Sequence, residues 1–399
     1  MLWLGVLLLA LQLGFEPPAA EPEPPEPLGS WTLVPVPPPV RPLLLADDPC
    51  APPRWELGLE FLYWYPRRGW LPPVVTTSPP TSLGLIGAPG TMILYGNERI
   101  DLRHDRLIGT QATLAWHFDS EGFWAAELRA FFLERDSSNY TIKPQSDLLL
   151  ARPYVNAVDG SPSAEIFAGP TPTGELLEGS INAYTRIEVF GQELNLRYEA
   201  WSDETLTLEA IVGSRFLQMR DRFDVTTSSR TMPDRATLYG VSDHFQTFNK
   251  FYGGQVGLRS TWHWHSWLVQ MGGAMALGAT DQSIRTKGQR LTQTPDLRDD
   301  RPLGLLVLPS NSGAARRTIF DLIAELNLKL GYQATDHLRF FVGYSVLAWS
   351  RPVRSGNQID SLNTDQITNP LSTPMRPRLT FRDELFWLQG ISAGGELRW

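Results

Sequence analysis

The C-terminal segment of the chain alternates between apolar and polar or small residues at every second position. One set comprises Leu385, Trp387, Gln389, Ile391, Ala393, Gly395, Leu397 and Trp399, and the set between them includes Ser392, Gly394, Glu396 and Arg398. Because successive side chains of a strand point to opposite faces, this run predicts a strand with one apolar face. In a soluble sheet that face packs on a core, whereas in a closed membrane barrel it contacts lipid.

The same alternation recurs in nine earlier segments, which makes a barrel the better interpretation. They are 55–64, 108–118, 124–132, 194–200, 206–212, 252–262, 267–277, 320–332 and 338–346. Turns of about four residues alternate with polar, Pro- or Gly-rich links of roughly 30 to 50 residues, as in outer-membrane barrels. A soluble sandwich gives no reason for this rhythm or for five long unstructured links. The sequence predicts an all-β fold, a single closed antiparallel transmembrane β-barrel of about ten strands (eight to twelve), with short periplasmic turns and long external loops.

The N-terminal part predicts export. Residues 2–14 form the only long apolar run, which is too short to span a bilayer as a helix. We expect a signal peptide over residues 1–20, although no basic residue precedes the apolar run. Residues 21–53 are Pro-rich and predict an extended leader, and the barrel is expected to occupy residues 54–399. The single cysteine, Cys50, excludes an internal disulfide.

Composition narrows the classes of partner. The chain has 14 Trp, 18 Phe and 11 Tyr, a load typical of barrels that carry aromatic girdles at both membrane interfaces. The formal net charge is −8 with no run of Lys or Arg, which argues against nucleic acid as a partner. For a membrane barrel the expected partners are outer-membrane lipid and the barrel-assembly machinery. The C-terminus resembles that of bacterial outer-membrane barrels, which carry a final aromatic residue on the apolar face of the last strand, and this resemblance implies that Leu397 and Trp399 form the assembly signal. A loop ligand and the oligomeric state are not specified by the sequence.

Three stretches resemble the beta barrel porin-7 family of planctomycete bacteria. They are Trp55–Thr77 (WELGLEFLYWYPRRGWLPPVVTT), Phe245–Leu258 (FQTFNKFYGGQVGL) and Gly343–Asp360 (GYSVLAWSRPVRSGNQID). The resemblance covers roughly residues 50–399 and implies an exported, single-barrel protein of the outer membrane. It supplies no catalytic residues.

Candidate chemistry is sparse. His263 and His265 flank Trp264, but metal sites need three or four ligands and no third is visible nearby. The pair Asp243–His244 and the group Asp101, His104 and Asp105 lie where long loops meet strands, and general-base chemistry would need such groups within hydrogen-bond reach. No nucleophile-elbow, phosphate-loop or C-x-x-C motif occurs. We therefore predict a non-enzyme without catalytic, metal-binding or cofactor-binding residues.

Charged residues alternate with the apolar ones and are expected to face the barrel interior. The predicted lumen-facing set is Glu127, Arg129, Glu193, Arg197, Glu199, Glu209, Arg215, Arg259, Glu325, Lys329, Glu396 and Arg398. Eight strands leave room only for side chains and sixteen leave an aqueous channel, so ten should be largely filled by ion pairs and water. The leading hypothesis is a structural or surface-interaction role through the long external loops. A narrow porin-like channel for small solutes is the alternative, and a barrel-mouth hydrolase is less favoured.

Overall fold

The structure, a computed structural model, describes residues 54–97, 106–119 and 121–399. The predicted signal peptide (1–20) and Pro-rich leader (21–53) lie outside the described residues. Within those residues the fold is all-β with antiparallel ladders and no α-helix, which confirms the predicted fold class at that level. None of the helical turns there is long and apolar enough to cross a membrane.

Fifteen strands and three short 3-10 helices make up the described part of the chain. The strands are β1 (Trp55–Pro66), β2 (Val75–Ser78), β3 (Met92–Tyr95), β4 (Leu107–His117), β5 (Trp124–Gln145), β6 (Leu149–Val155), β7 (Pro162–Pro170), β8 (Leu176–Ser202), β9 (Leu206–Met232), β10 (Leu238–Trp264), β11 (Trp267–Gln293), β12 (Arg298–Arg301), β13 (Gly313–Thr335), β14 (Leu338–Trp349) and β15 (Phe386–Arg398). The 3-10 helices are Pro80–Ser82, Gly356–Gln358 and Thr364–Ile367.

Ten of these strands each pair with two antiparallel neighbours. The order of pairing is β8-β5-β4-β1-β15-β14-β13-β11-β10-β9, and β9 pairs again with β8. The last residue also bonds to the first strand, because the N–H of Trp55 donates to the carbonyl of Trp399 at 2.9 Å and the reverse bond measures 3.1 Å. The path of neighbouring strands therefore begins and ends at β8.

The total of fifteen strands is more than the ten predicted. All ten predicted segments fall within strands, but β2, β3, β6, β7 and β12 occupy links that the sequence analysis treated as unstructured. Several predicted strands are also much longer than expected, since β8, β9, β10 and β11 each have 27 residues. As a result only residues 233–237 separate β9 from β10, where a long link was predicted.

Side chains of the paired strands divide into an exposed apolar set and a buried, largely charged set. In β1, Leu59, Phe61 and Tyr65 are exposed whereas Glu56 and Glu60 are buried. The same division holds elsewhere: the exposed residues Leu196, Leu208, Val256, Leu326 and Leu328 alternate with inward-facing charges. An exposed band of this kind is the surface that lipid contacts in a membrane barrel.

The division reverses farther along the longest strands. In β9 the outward positions Leu208 and Val212 are apolar and exposed, and beyond Phe216 the outward positions become polar, first the half-buried Arg220 and Arg222 and then the exposed Thr226 and Ser228. Over the same stretch the buried positions become apolar, as at Phe223 and Val225. This second arrangement, with polar side chains outside and apolar ones inside, is that of a protein surrounded by water.

The turn between β8 and β9 is held by an aspartate. The Asp203 carboxylate accepts from the backbone N–H groups of Thr205 and Leu206 at 2.8 Å and from the indole of Trp201 at 3.1 Å. The Thr205 N–H and then these other donors lower the pKa of Asp203 below its usual range. A carboxylate that satisfies turn N–H groups in this way favours a short, defined connection.

We expect Leu326→Arg to lower the free energy of unfolding by about 2 to 4 kcal/mol, because it places a charge near the middle of the apolar band. Leu326 is 65% exposed and lies midway between Phe320 and Tyr332 on β13. Denaturant unfolding of the protein refolded into lipid vesicles measures the change. Thr226→Arg, on the outward polar part of β9, is the control and should cost little. Equal losses in both variants would contradict a lipid-facing band.

Candidate functional site

The most concentrated chemistry in the described residues is a buried ion-pair network in the strand interior. At its centre, Arg129 of β5 and Arg215 of β9 each bind two carboxylates, Glu193 of β8 and Glu325 of β13. The Arg129–Glu325 nitrogen–oxygen distance is 2.8 Å. Four strands lie between β13 and β5 in either direction around the path, so this quartet links opposite parts of the sheet.

A second group is organised around Arg197. Its guanidinium binds Glu209 at 2.6 Å, Glu56 at 3.0 Å and Glu127 at 3.2 Å. Arg259 shares two of these partners, with 3.0 Å to Glu127 and 3.5 Å to Glu209. Each buried charge therefore has more than one partner of opposite sign, which offsets the cost of removing it from water.

Polar amides join the two groups. The Asn195 amide donates to Glu127 at 3.2 Å and to Glu193 at 3.3 Å, and Gln255 donates to Glu193 at 2.9 Å. Neither amide belongs to the predicted lumen-facing set, which comprised charged residues only. The signal was present, because both alternate with outward apolar residues in the same register as the charges.

The remaining predicted charges lie toward the short turns. Lys329 binds Glu60, and Arg398 binds Glu396 and also Glu56, the latter at 3.2 Å. Glu199 is half-buried and lines the same cavity of about 290 Å³ as most of the network. Nine of the twelve sequence-selected charges line this cavity. The other three, Glu193, Arg215 and Glu325, form the quartet with Arg129.

An apolar layer lies next to the charged network. It is one cluster of buried side chains, and each of the ten strands that pair on both edges contributes to it. Its members are Leu62, Trp64, Leu107, Phe131, Leu133, Ile187, Val189, Leu217, Met219, Phe251, Ala276, Ile323, Leu347, Trp349, Phe386 and Leu388. Every strand of the path therefore contributes side chains to one buried apolar cluster.

Glycines make room for the largest rings of this layer. A Cβ at Gly191 would lie 2.2 Å from the Phe131 ring, and one at Gly253 would lie 2.5 Å from the Phe251 ring. Distances this short exclude a side chain unless the ring moves. These two glycines are therefore packing positions for the apolar layer.

The segment after β14 covers the apolar layer from the side of the long links. Arg354 is 2% exposed, and its guanidinium binds Asp221 of β9 at 2.6 Å. Asn249 of β10 exchanges two hydrogen bonds with the backbone of Val353, at 2.8 and 2.9 Å. Sequence analysis placed this segment in an unstructured link, although it belongs to one of the three stretches that carry the family resemblance.

The side chains of Asp243 and His244 do not pair with each other. As neighbours in β10 the two side chains point to opposite faces: Asp243 is fully buried, and His244 is half-buried and bonded to Asp224 at 2.9 Å. The Asp243 carboxylate instead binds Arg152 at 2.7 Å and the N–H groups of residues 305–307. It therefore anchors a link segment inside the sheet.

The other candidate groups supply no metal centre among the residues described. His263 lies on β10 and His265 in the following turn, and no cluster of three or more potential ligands occurs in the described ranges. Asp101, His104 and Asp105 lie outside the described residues.

The fold and this interior define an antiparallel β-sheet protein with apolar side chains outward and paired charges inward. The chain belongs to the family described as "Putative beta barrel porin-7", which its sequence matches over residues 57–399. This match confirms the resemblance drawn from the three sequence stretches. None of the curated proteins matches the sequence.

Several solved structures share weak similarity with the chain. The outer membrane protease OmpT from Escherichia coli has 9% identity and a TM-score of 0.37, with 87% of this chain and 97% of that one covered. A FadL homologue from Pseudomonas aeruginosa has 8% identity, a TM-score of 0.27 and coverages of 86% and 90%. The toluene transporter TodX from P. putida has 10% identity, a TM-score of 0.20 and coverages of 88% and 91%. TM-scores this low carry no argument about function.

We expect Arg215→Met to lower the free energy of unfolding by about 3 to 5 kcal/mol, because Glu193 and Glu325 lose one of their two shared cations while remaining buried. The double variant Arg215→Met/Glu325→Leu should recover part of that loss. Denaturant unfolding in vesicles gives both values.

Arg222→Met in the same strand is the control for Arg215→Met. Arg222 is outward-facing and pairs with Asp224 at 2.6 Å on the exposed face, so its loss should cost at most about 1 kcal/mol. A cost at Arg215 no larger than that at Arg222 would contradict the role of the quartet.

Proposed function

We propose that the chain is an outer-membrane protein whose ten doubly paired strands form a closed transmembrane barrel with a sealed interior. In this proposal it conducts no solute and catalyses no reaction. Its role is structural or adhesive, and it acts through the surface that the long strands and links build outside the membrane. The observation that carries the proposal is the apolar layer to which every one of the ten strands contributes.

Membrane insertion is supported by the outward surface. On several strands the apolar outward stretch has an aromatic residue near each end, as at Trp55 and Tyr65 of β1 and at Tyr252 and Trp262 of β10. Ten residues of strand extend about 33 Å, which at the usual tilt matches an apolar band of about 25 Å. Two-sided pairing of each strand also satisfies the backbone groups that lipid cannot.

Because the interior of the proposed barrel is sealed, a narrow channel is the second candidate function. A solute crossing the barrel would have to displace the charged network, then the apolar layer, and then the segment anchored by Arg354. The polar cavity of about 290 Å³ lies on one side of the apolar layer. Such a cavity holds water and ions without joining the two sides of the membrane.

We expect the wild-type protein to give no single-channel steps in planar bilayers. The triple variant Phe251→Ala/Trp349→Ala/Arg354→Ala should produce steps, because it removes two rings of the apolar layer and the anchor of the covering segment. Lys329→Gln changes the charged network alone and should stay silent. Steady, ion-selective steps from the wild type would refute the sealed barrel and favour the narrow channel.

We expect deletion of Leu397–Trp399 to reduce assembly far more than deletion of residues 21–45. The three terminal residues bond to β1, and their loss leaves Trp55, Glu56 and Leu57 without partners on that edge. Backbone groups left unpaired in this way cannot be satisfied by lipid. Heat-modifiable gel mobility of outer-membrane fractions measures assembly. Equal assembly of the two deletions would refute the assembly role of Leu397 and Trp399, and absence of the wild type from that fraction would refute the location.

A further inference from the structure

The outward face carries a group of cations just beyond the apolar band. Arg220 of β9, Lys250 of β10, Arg285 of β11 and Arg316 of β13 line one cavity of about 490 Å³ on this face. We name these four residues the outer cationic patch. The chain as a whole carries a net charge of −8, so this concentration of positive charge is a local feature.

The strand register fixes where the patch lies. One row of outward residues crosses β9, β10, β11 and β13, and its members are paired between neighbouring strands. We call this row, which consists of Phe216, Tyr252, Ala279 and Phe320, the aromatic row. A second row crosses the same strands four residues farther from the apolar band than the aromatic row. It consists of Arg220, Phe248, Ser283 and Arg316, and Lys250 lies between the two rows. Lys250 is thus about 7 Å and Arg220 about 13 Å along a strand from the aromatic row. At the usual strand tilt of about 40°, Lys250 lies about 5 Å, Arg220 about 10 Å and Arg285 about 15 Å beyond this row along the membrane normal. In the proposed barrel, Lys250 therefore lies within the headgroup layer, which is about 5 to 8 Å thick, and the arginines lie at its outer side.

The patch has too little negative charge of its own to balance it. Asp281 lies in the same cavity, and Arg220 has Glu188 at 3.6 Å. Within the described part of the chain, Arg285 and Arg316 form no salt bridge, and Lys250 instead contacts the Phe248 ring with its ammonium 5.0 Å from the centroid. Like charges on neighbouring strands repel, so an anion that binds between them is favoured.

We propose that the outer cationic patch binds the phosphate of an anionic lipid headgroup in the outer leaflet. Guanidinium groups match phosphate oxygens bidentately, and the lysine adds a point charge. Phe248 and the aromatic row below it provide an apolar surface for the lipid chain beneath its headgroup. This inference rests on the proposed membrane location and adds a specific ligand class to it.

The test compares lipid retention by the folded full-length protein and two triple variants. The patch variant is Lys250→Gln/Arg285→Gln/Arg316→Gln. The control variant is Arg230→Gln/Lys287→Gln/Arg298→Gln, which removes the same charge from exposed positions farther from the band. Phosphatidylglycerol in a neutral detergent is the probe, and native mass spectrometry counts bound lipid. We expect roughly hundredfold weaker binding in the patch variant and little change in the control.

Two further arms separate the possible failures. Inorganic phosphate at matched ionic strength should compete poorly, and competition as effective as that of the lipid would overturn the lipid assignment in favour of a free phosphate site. Equal lipid retention by the patch and control variants would overturn the proposal while leaving the membrane location intact. Flotation with neutral phosphatidylcholine vesicles tests the location itself. Failure of the wild type to float would overturn the proposed function, and the lipid site with it.

Discussion

Two-sided hydrogen bonding of ten strands is the constraint on which the rest of the structure depends. Each of these strands has an antiparallel neighbour on both edges, and the path returns to β8. Once both edges are used, a side chain can point only to one face of the sheet or to the other. Alternation along the sequence therefore becomes a division between two environments. The buried charges pair with one another, either on neighbouring strands, as Arg197 does with Glu209, or on strands far apart along the path, as Arg129 does with Glu325.

Several of the ten predicted segments are shorter than the strands that contain them. The reason can be seen in β9, where the apolar residues change from even-numbered to odd-numbered positions. In β9 the even-numbered positions Leu208 and Val212 are apolar and outward. From Leu217 onward the apolar residues occupy odd-numbered positions, as at Phe223 and Val225, and these are inward. A strand predicted from one apolar face ends at the residue where that face becomes polar. The continuing alternation with opposite parity was present in the sequence, and it marks the passage from lipid to water that we propose.

Charged residues of the interior were predictable as a set but not as pairs. Their alternation with outward apolar residues placed Arg129 and Glu325 on the inward face. Their contact depends on the order of strands around the path, which brings β5 opposite β13 and has no signature in local sequence. Arg354 could not be predicted at all, because it lies in an irregular segment whose position is set by Asp221 on a remote strand.

The position of the apolar layer explains how one set of strands can serve two environments. Leu217 and Phe251 of the layer are sequence neighbours of Phe216 and Tyr252 in the outward aromatic row, so inward and outward apolar groups meet at the same level. On one side of that level the charges are inside and the apolar groups outside. On the other side a second buried cluster, which includes Phe223 and Phe245, forms a core of the kind found in soluble proteins. The part of the chain that contains this second cluster therefore has its own hydrophobic core, and the stability of that core does not depend on lipid. In the barrel that we propose, this core would support a surface outside the membrane, whereas a pore would require the core to be absent.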